Sequence, residues 1–148
     1  KWYEKLCIGC TGGELHKAVH DIIGSEEFGV TLNSGHYTGM DEWVNSPSYE
    51  DSPYVIPDGA YLQADIIASA DNPARTAICE DAVIVAGEHL RNQLKIEYPE
   101  VYMRIVKRQQ MLRNVVGINI SDEVLPLSNL NAVMFPFMLN LDTMFGIK

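Results

Sequence analysis

An imidazole and two carboxylates, His36, Asp65 and Glu80, are the residues of this 148-residue chain best suited to chemistry. His36 lies in Ser34-Gly35-His36-Tyr37-Thr38-Gly39-Met40-Asp41-Glu42-Trp43-Val44-Asn45-Ser46-Pro47, between glycines and polar side chains. Asp65 and Glu80 interrupt two apolar stretches, 60–68 and 76–86, that read as strands; Asp71-Asn72-Pro73 between them is turn chemistry. A turn centred between Asn72 and Pro73 places Asp65 opposite Glu80, with Cβ atoms about 5 Å apart. Two like charges there are costly, more so beside Ala64, Ile66, Cys79 and Ala82. Three arrangements relieve the cost: a cation between the acids, one shared proton, or a different register with both acids in water. Hard cations take carboxylate oxygens and imidazole suits the borderline transition metals. His36 therefore tilts the reading toward Mn, Co, Fe or Zn in a hydrolytic centre.

The elements that must carry these residues are legible in the pattern. Trp2 to Ile8 reads as a short helical piece that Gly9 breaks. Thr11-Gly12-Gly13-Glu14 is a capping box, and Leu15, Ala18, Val19, Ile22 and Ile23 line one face of the helix it starts, which Gly24 ends. Phe28 to Leu32 reads as a strand leading into His36, and the Pro-rich segment 45–58 as a loop. Both main strands are apolar on both faces apart from the acids, which predicts a sheet covered on both sides. Glu88 to Glu97 is predicted helical. Pro99 opens another helix that buries Val101, Tyr102, Ile105, Val106, Leu112 and Val116, exposes Lys107 and Arg108, and stops at Gly117. Met103, Met111, Met134 and Met138 read as core filling, and 118–148 as irregular segments packed on the domain.

Composition narrows the function classes. Hydrophobic residues are 47% and charged residues 21%, which fits one globular domain with a core. The net charge of −9 opposes nucleic acid. No apolar run reaches the roughly 18 residues of a membrane span. The N-terminal residues do not read as a signal peptide, and the lack of an initiator Met fits a processed chain. Three cysteines, an odd number, suit a reducing, cytoplasmic setting better than a disulfide framework. Cys7-Ile8-Gly9-Cys10 precedes a helix, but no βαβ pattern leads into it, so it is not read as a thioredoxin-like pair. The spacing from these cysteines to His16 and His20 is too short for a zinc finger, and the two histidines read as an exposed pair one helical turn apart. His89 reads as a surface residue.

Four blocks carry a resemblance. Gly35-His36-Tyr37-Thr38-Gly39-Met40-Asp41 resembles the G-H-x-x-G-L/M-D segment of the creatinase/aminopeptidase P superfamily of metallopeptidases, which has the pita-bread fold. Gly59 to Asp65 resembles that family's next strand, G-M-x-x-x-x-E. Ile78-Cys79-Glu80-Asp81-Ala82-Val83-Ile84-Val85 resembles its R-I-E-D-x-V-x-V strand, and Gly9 to Leu15 is similar to its P-G-V-T-x-x-E-L helix start. The blocks span residues 1 to about 90, and the tail from Leu94 resembles only an uncharacterised branch.

The resemblance implies half of a pita-bread fold: α+β, a curved and mainly antiparallel sheet with helices on one face. It implies a dinuclear-metal peptidase acting on Xaa-Pro peptides through a metal-bridging water, with Mn, Co or Zn as cofactor in the parent protein. His36 becomes the histidine ligand and Glu80 the bridging carboxylate. Asp65 takes the place of the glutamate ligand that family members use as base, one methylene shorter. Trp43 stands where many members have a second, substrate-contacting histidine, and Glu42 beside it is a further candidate for substrate. The family's two Asp ligands precede its histidine segment, and no such segment precedes His36 here. The chain is therefore expected to be a C-terminal portion, inactive alone and binding metal weakly or not at all, that homodimerises through the face the missing half would cover. The alternative implied by Trp43 and Asp65 is a non-catalytic pseudo-peptidase that keeps the fold for binding or assembly.

Overall fold

A computed structural model describes residues 1–41, 44–71, 74–137, 139–140 and 142–147. The fold is α+β. Its elements are helices α1 (Trp2–Lys5) and α2 (Gly12–Ile23), strands β1 (His36–Tyr37), β2 (Tyr61–Asp71) and β3 (Ala74–Val85), helices α3 (Glu88–Glu97) and α4 (Pro99–Met111), and strand β4 (Val124–Pro126). The strands form an open antiparallel sheet in the order β1-β2-β3-β4.

The β2–β3 hairpin is the frame. Its register pairs Leu62 with Val83, Ala64 with Asp81 and Asp65 with Glu80. Because side chains alternate along a strand, Leu62, Ala64, Val83 and Val85 share one face. They are buried there with Trp2, Tyr3 and Leu6 from the α1 region and Leu15 and Val19 from α2. Each valine or leucine among them contributes roughly 1.5–3 kcal/mol by leaving water.

α2 begins as its sequence predicts. The Thr11 hydroxyl accepts from Glu14 N–H at 3.2 Å, and the Glu14 carboxylate accepts from Thr11 N–H at 2.9 Å. The Lys5 ammonium, 2.7 Å from Glu14, ties α1 to this cap. α4 starts on Pro99 and continues through a π-helical turn, Leu112–Val116, closed by Gly117 at φ +89°.

Phe28 to Leu32 is not a strand: Glu26–Phe28 form a 3-10 turn that Gly29 closes at φ +56°, with its N–H on the Glu26 carbonyl. A short apolar run is ambiguous by pattern, and here a glycine in the left-handed region ends it. The sheet is not covered on both sides throughout, because Ile78 is 54% exposed on the distal part of β3. Nor are the helices all on one face. Ile84 and Leu125, directly paired, point away from Val83 and Val85 and pack with Ile105, Val101 and Leu94 of α3 and α4. The tail supplies a strand, β4, whose terminal Pro126 suits an edge position. Met103 and Met134 are exposed rather than core, while Met111 packs on the core. Ile22 is exposed at the end of α2. Met138 lies outside the described residues.

The Glu14 carboxyl lies below its ordinary range because the Lys5 ammonium, and then the Thr11 N–H, bond to its ionised form. That contribution to stability is present above the ordinary glutamate pKa and is lost as pH falls through the lowered value. Glu14→Gln is expected to flatten the acid limb of a pH–stability profile near pH 4. Thr11→Ala is expected to cost about 1 kcal/mol at neutral pH in urea melts.

Candidate functional site

β1 is two residues long, and its position is fixed by the chain around it. Gly35 has φ +113°, and a Cβ there would come within 3.0 Å of both the Gln63 carbonyl and the Trp2 ring. Glycine is thus required just before His36. The polar loop that follows completes the clamp. The Ser46 hydroxyl donates to the Gly35 carbonyl at 2.6 Å, Tyr37 N–H donates to the Asn45 carbonyl at 2.9 Å, and Thr38 N–H donates to the Tyr61 carbonyl at 3.0 Å. Tyr37 turns to the main core, so His36 turns to the opposite face.

On that face four polar side chains form two diagonals across the strands. His36 is paired with Gln63, and Asp65 with Glu80. His36 reaches diagonally to Asp65, with Nε2 3.6 Å from Oδ2. Gln63 reaches diagonally to Glu80, its amide donating to the carboxylate at 2.8 Å. His36 is 1% exposed and Asp65 6% exposed, whereas Glu80 is open to solvent.

The imidazole is oriented through its other nitrogen. His36 Nδ1 lies 3.0 Å from the Tyr37 carbonyl, which can only accept, so Nδ1 carries the proton in that bond. Nε2 faces Asp65 Oδ2 across 3.6 Å, longer than a hydrogen bond, with a lone pair in the neutral ring and an N–H in the imidazolium. Asp65 Oδ1 is buried and has no hydrogen-bond partner among the described residues. A proton or a cation closes such a gap. A tetrahedral cation about 2.1 Å from one nitrogen and one oxygen keeps those atoms roughly 3.4 Å apart.

Of the residues singled out by sequence, the fold brings His36 and Asp65 together and sets Glu80 opposite Asp65, but the Glu80 carboxylate is directed to Gln63. Among the described residues, no three His, Cys, Asp or Glu side chains are arranged to hold one metal ion. Glu42 and Trp43, expected to contact substrate, lie outside the described residues. Gln63 had no role in the sequence reading. Its signal was its position, two residues from Asp65 and so on the same face. His16 and His20 are half-buried and stack, with ring centroids 3.7 Å apart. No helix among the described residues is long and apolar enough to cross a membrane. Comparison with protein-family models, curated proteins and solved structures finds no match to this chain.

Asp65→Asn tests what the buried carboxylate faces. An asparagine amide can donate to the Nε2 lone pair at the same shape. The variant is expected to unfold at the same or higher denaturant concentration than the parent. A loss above about 1 kcal/mol would reveal a stabilising partner of the ionised carboxylate.

Proposed function

We propose that this chain is the C-terminal, pita-bread-type portion of a metal-dependent peptidase resembling Xaa-Pro aminopeptidases, and that it does not hydrolyse peptides alone. The reading rests on one observation above others: a buried imidazole and a buried, half-unsatisfied carboxylate, from two motifs of the resemblance, meet on one sheet face. A bound Mn, Co or Zn ion would supply Lewis-acid polarisation and a nucleophilic water. The chain's own part is to hold Nε2 of His36 as a lone-pair donor, through the Tyr37 carbonyl, and to keep Oδ1 of Asp65 free to bind or take a proton. In this reading Glu80 would join the set of residues that hold the cation, and Glu42 and Trp43 would serve the peptide. The two remaining Asp ligands come from outside the chain, in the cytoplasm.

A second reading, a non-catalytic pseudo-peptidase, is favoured by one contact: the Gln63 amide already satisfies the Glu80 carboxylate. Under either reading the chain pairs with a second copy of itself. Ile78, Leu130 and Met134 are exposed around one concavity beside Glu80, an apolar surface of the kind that seeks a partner.

Calorimetric titration with Co²⁺ or Mn²⁺ separates the two. The peptidase reading expects weak binding of one ion per chain, abolished in His36→Ala, with no turnover of an Xaa-Pro peptide by the chain alone. Absence of heat up to about millimolar metal favours the pseudo-peptidase. Light scattering at micromolar protein is expected to give a dimer, and a clean monomer would overturn the pairing.

A further inference from the structure

The turn Cys7-Ile8-Gly9-Cys10 joins α1 to α2 and takes no part in the site above. Cys10 N–H donates to the Cys7 carbonyl at 3.3 Å, and Gly9 has φ +87°. A bond from the fourth residue to the first, with positive φ at the third, is the geometry of a type II β-turn, whose end Cα atoms lie within about 7 Å. A disulfide needs Cα atoms about 4.4–6.8 Å apart. The turn thus holds the two cysteines near bridging separation. It is also pinned from outside. Ile8 N–H donates to the Glu123 carboxylate at 2.9 Å, Gly9 N–H to the Ile56 carbonyl at 2.9 Å, and Ile56 N–H to the Cys10 carbonyl at 2.8 Å.

Both thiols are free, and they are unequal: Cys10 is buried and Cys7 half-buried. Burial pushes the Cys10 thiol up to about 11, and Cys7 is near enough to act on it through the turn backbone and thiol to thiol. Cys79 stands apart on β3, against Tyr3 and the Ala132 backbone.

We propose that Cys7 and Cys10 form a reversible disulfide site whose oxidant is a small-molecule disulfide, with Cys7 as the attacking thiol and Cys10 as the resolving one. The Cys7 thiolate attacks one sulfur of the oxidant and expels the other half as a thiolate. Cys10 then loses its proton to solvent and attacks the Cys7 sulfur, expelling the second thiolate. Two protein thiols give up two electrons and two protons, and the small disulfide is reduced to two thiols. The closed loop is only four residues, so the bond removes little entropy from the unfolded chain and is readily reduced again. This is a modification site, not a catalytic pair, and it is independent of the peptidase reading. Oxidation would fix the joint between α2 and α1, whose Trp2 packs under Gly35 beside His36.

The test is incubation of the folded chain with glutathione disulfide, followed by denaturing alkylation, intact mass and peptide mapping. Alkylatable thiols are expected to fall from three to one, with the bridge mapped to Cys7–Cys10 and no retained glutathione. Cys10→Ser is expected to keep glutathione on Cys7. Three alkylatable thiols after oxidation, a stable adduct on Cys7 of the unsubstituted chain, or a bridge involving Cys79 would each overturn the proposal. These measurements on the unsubstituted chain decide it even if Cys10→Ser does not fold.

Discussion

The register of the β2–β3 hairpin is the constraint on which the rest depends. Side chains alternate along a strand, so a slip of one residue would exchange the two faces. A slip of β2 would take Leu62 out of the core and bring Asp65 in, and a slip of β3 would take Val83 and Val85 out. At roughly 1.5–3 kcal/mol for each buried side chain, the slip of β3 alone would forfeit roughly 3–6 kcal/mol, a large share of the stability of a small domain. The apolar face therefore sets the register, and the acids follow. Asp65 and Glu80 face each other because the core requires Leu62 opposite Val83.

That enforced pairing of like charges is resolved by separating the environments of the two acids. The Glu80 carboxylate lies in solvent and accepts from the Gln63 amide. Asp65 goes inward, where an ionised group without a partner is expensive. Its neighbour there is His36, whose second nitrogen is committed to the Tyr37 carbonyl. The same strand geometry thus produces, on one face, a solvated acid bonded to Gln63 and a buried acid beside His36. The asymmetry follows from His36 approaching only one side of the hairpin.

Much of this was legible in the sequence because it is local or periodic. The capping box at Thr11 and Glu14, Pro99 at a helix start, Gly117 at its end and the symmetric hairpin all follow from residue chemistry within a few positions. The strand expected at Phe28 to Leu32 failed because Gly29 takes a left-handed conformation against the Ser69 carbonyl, which is a tertiary fact. β4 was hidden because three residues ending in proline carry no period, and its pairing to β3 depends on a partner some forty residues earlier. The site was half legible. Spacing put Asp65 opposite Glu80, but whether each acid faced water depended on what lay beyond the hairpin. The role of Gln63 emerged only once its diagonal neighbour was known.

The location of the site within the sheet connects the fold to the proposed incompleteness. β1 pairs with β2 only at Leu62 and Gln63, and β4 pairs with β3 only at Val83 to Val85. Beyond those pairs the hairpin continues to Asp71 and Ala74 with no other strand beside it among the described residues. Strand edges left unpaired with apolar side chains such as Ile78 exposed are normally blunted or covered in a stable protein. His36 and Asp65 sit where strand cover ends. On the proposed reading, ligands from another segment would come in over this same uncovered stretch. On the proposed peptidase reading, covering the hairpin and supplying further carboxylates beside Asp65 would be a single event.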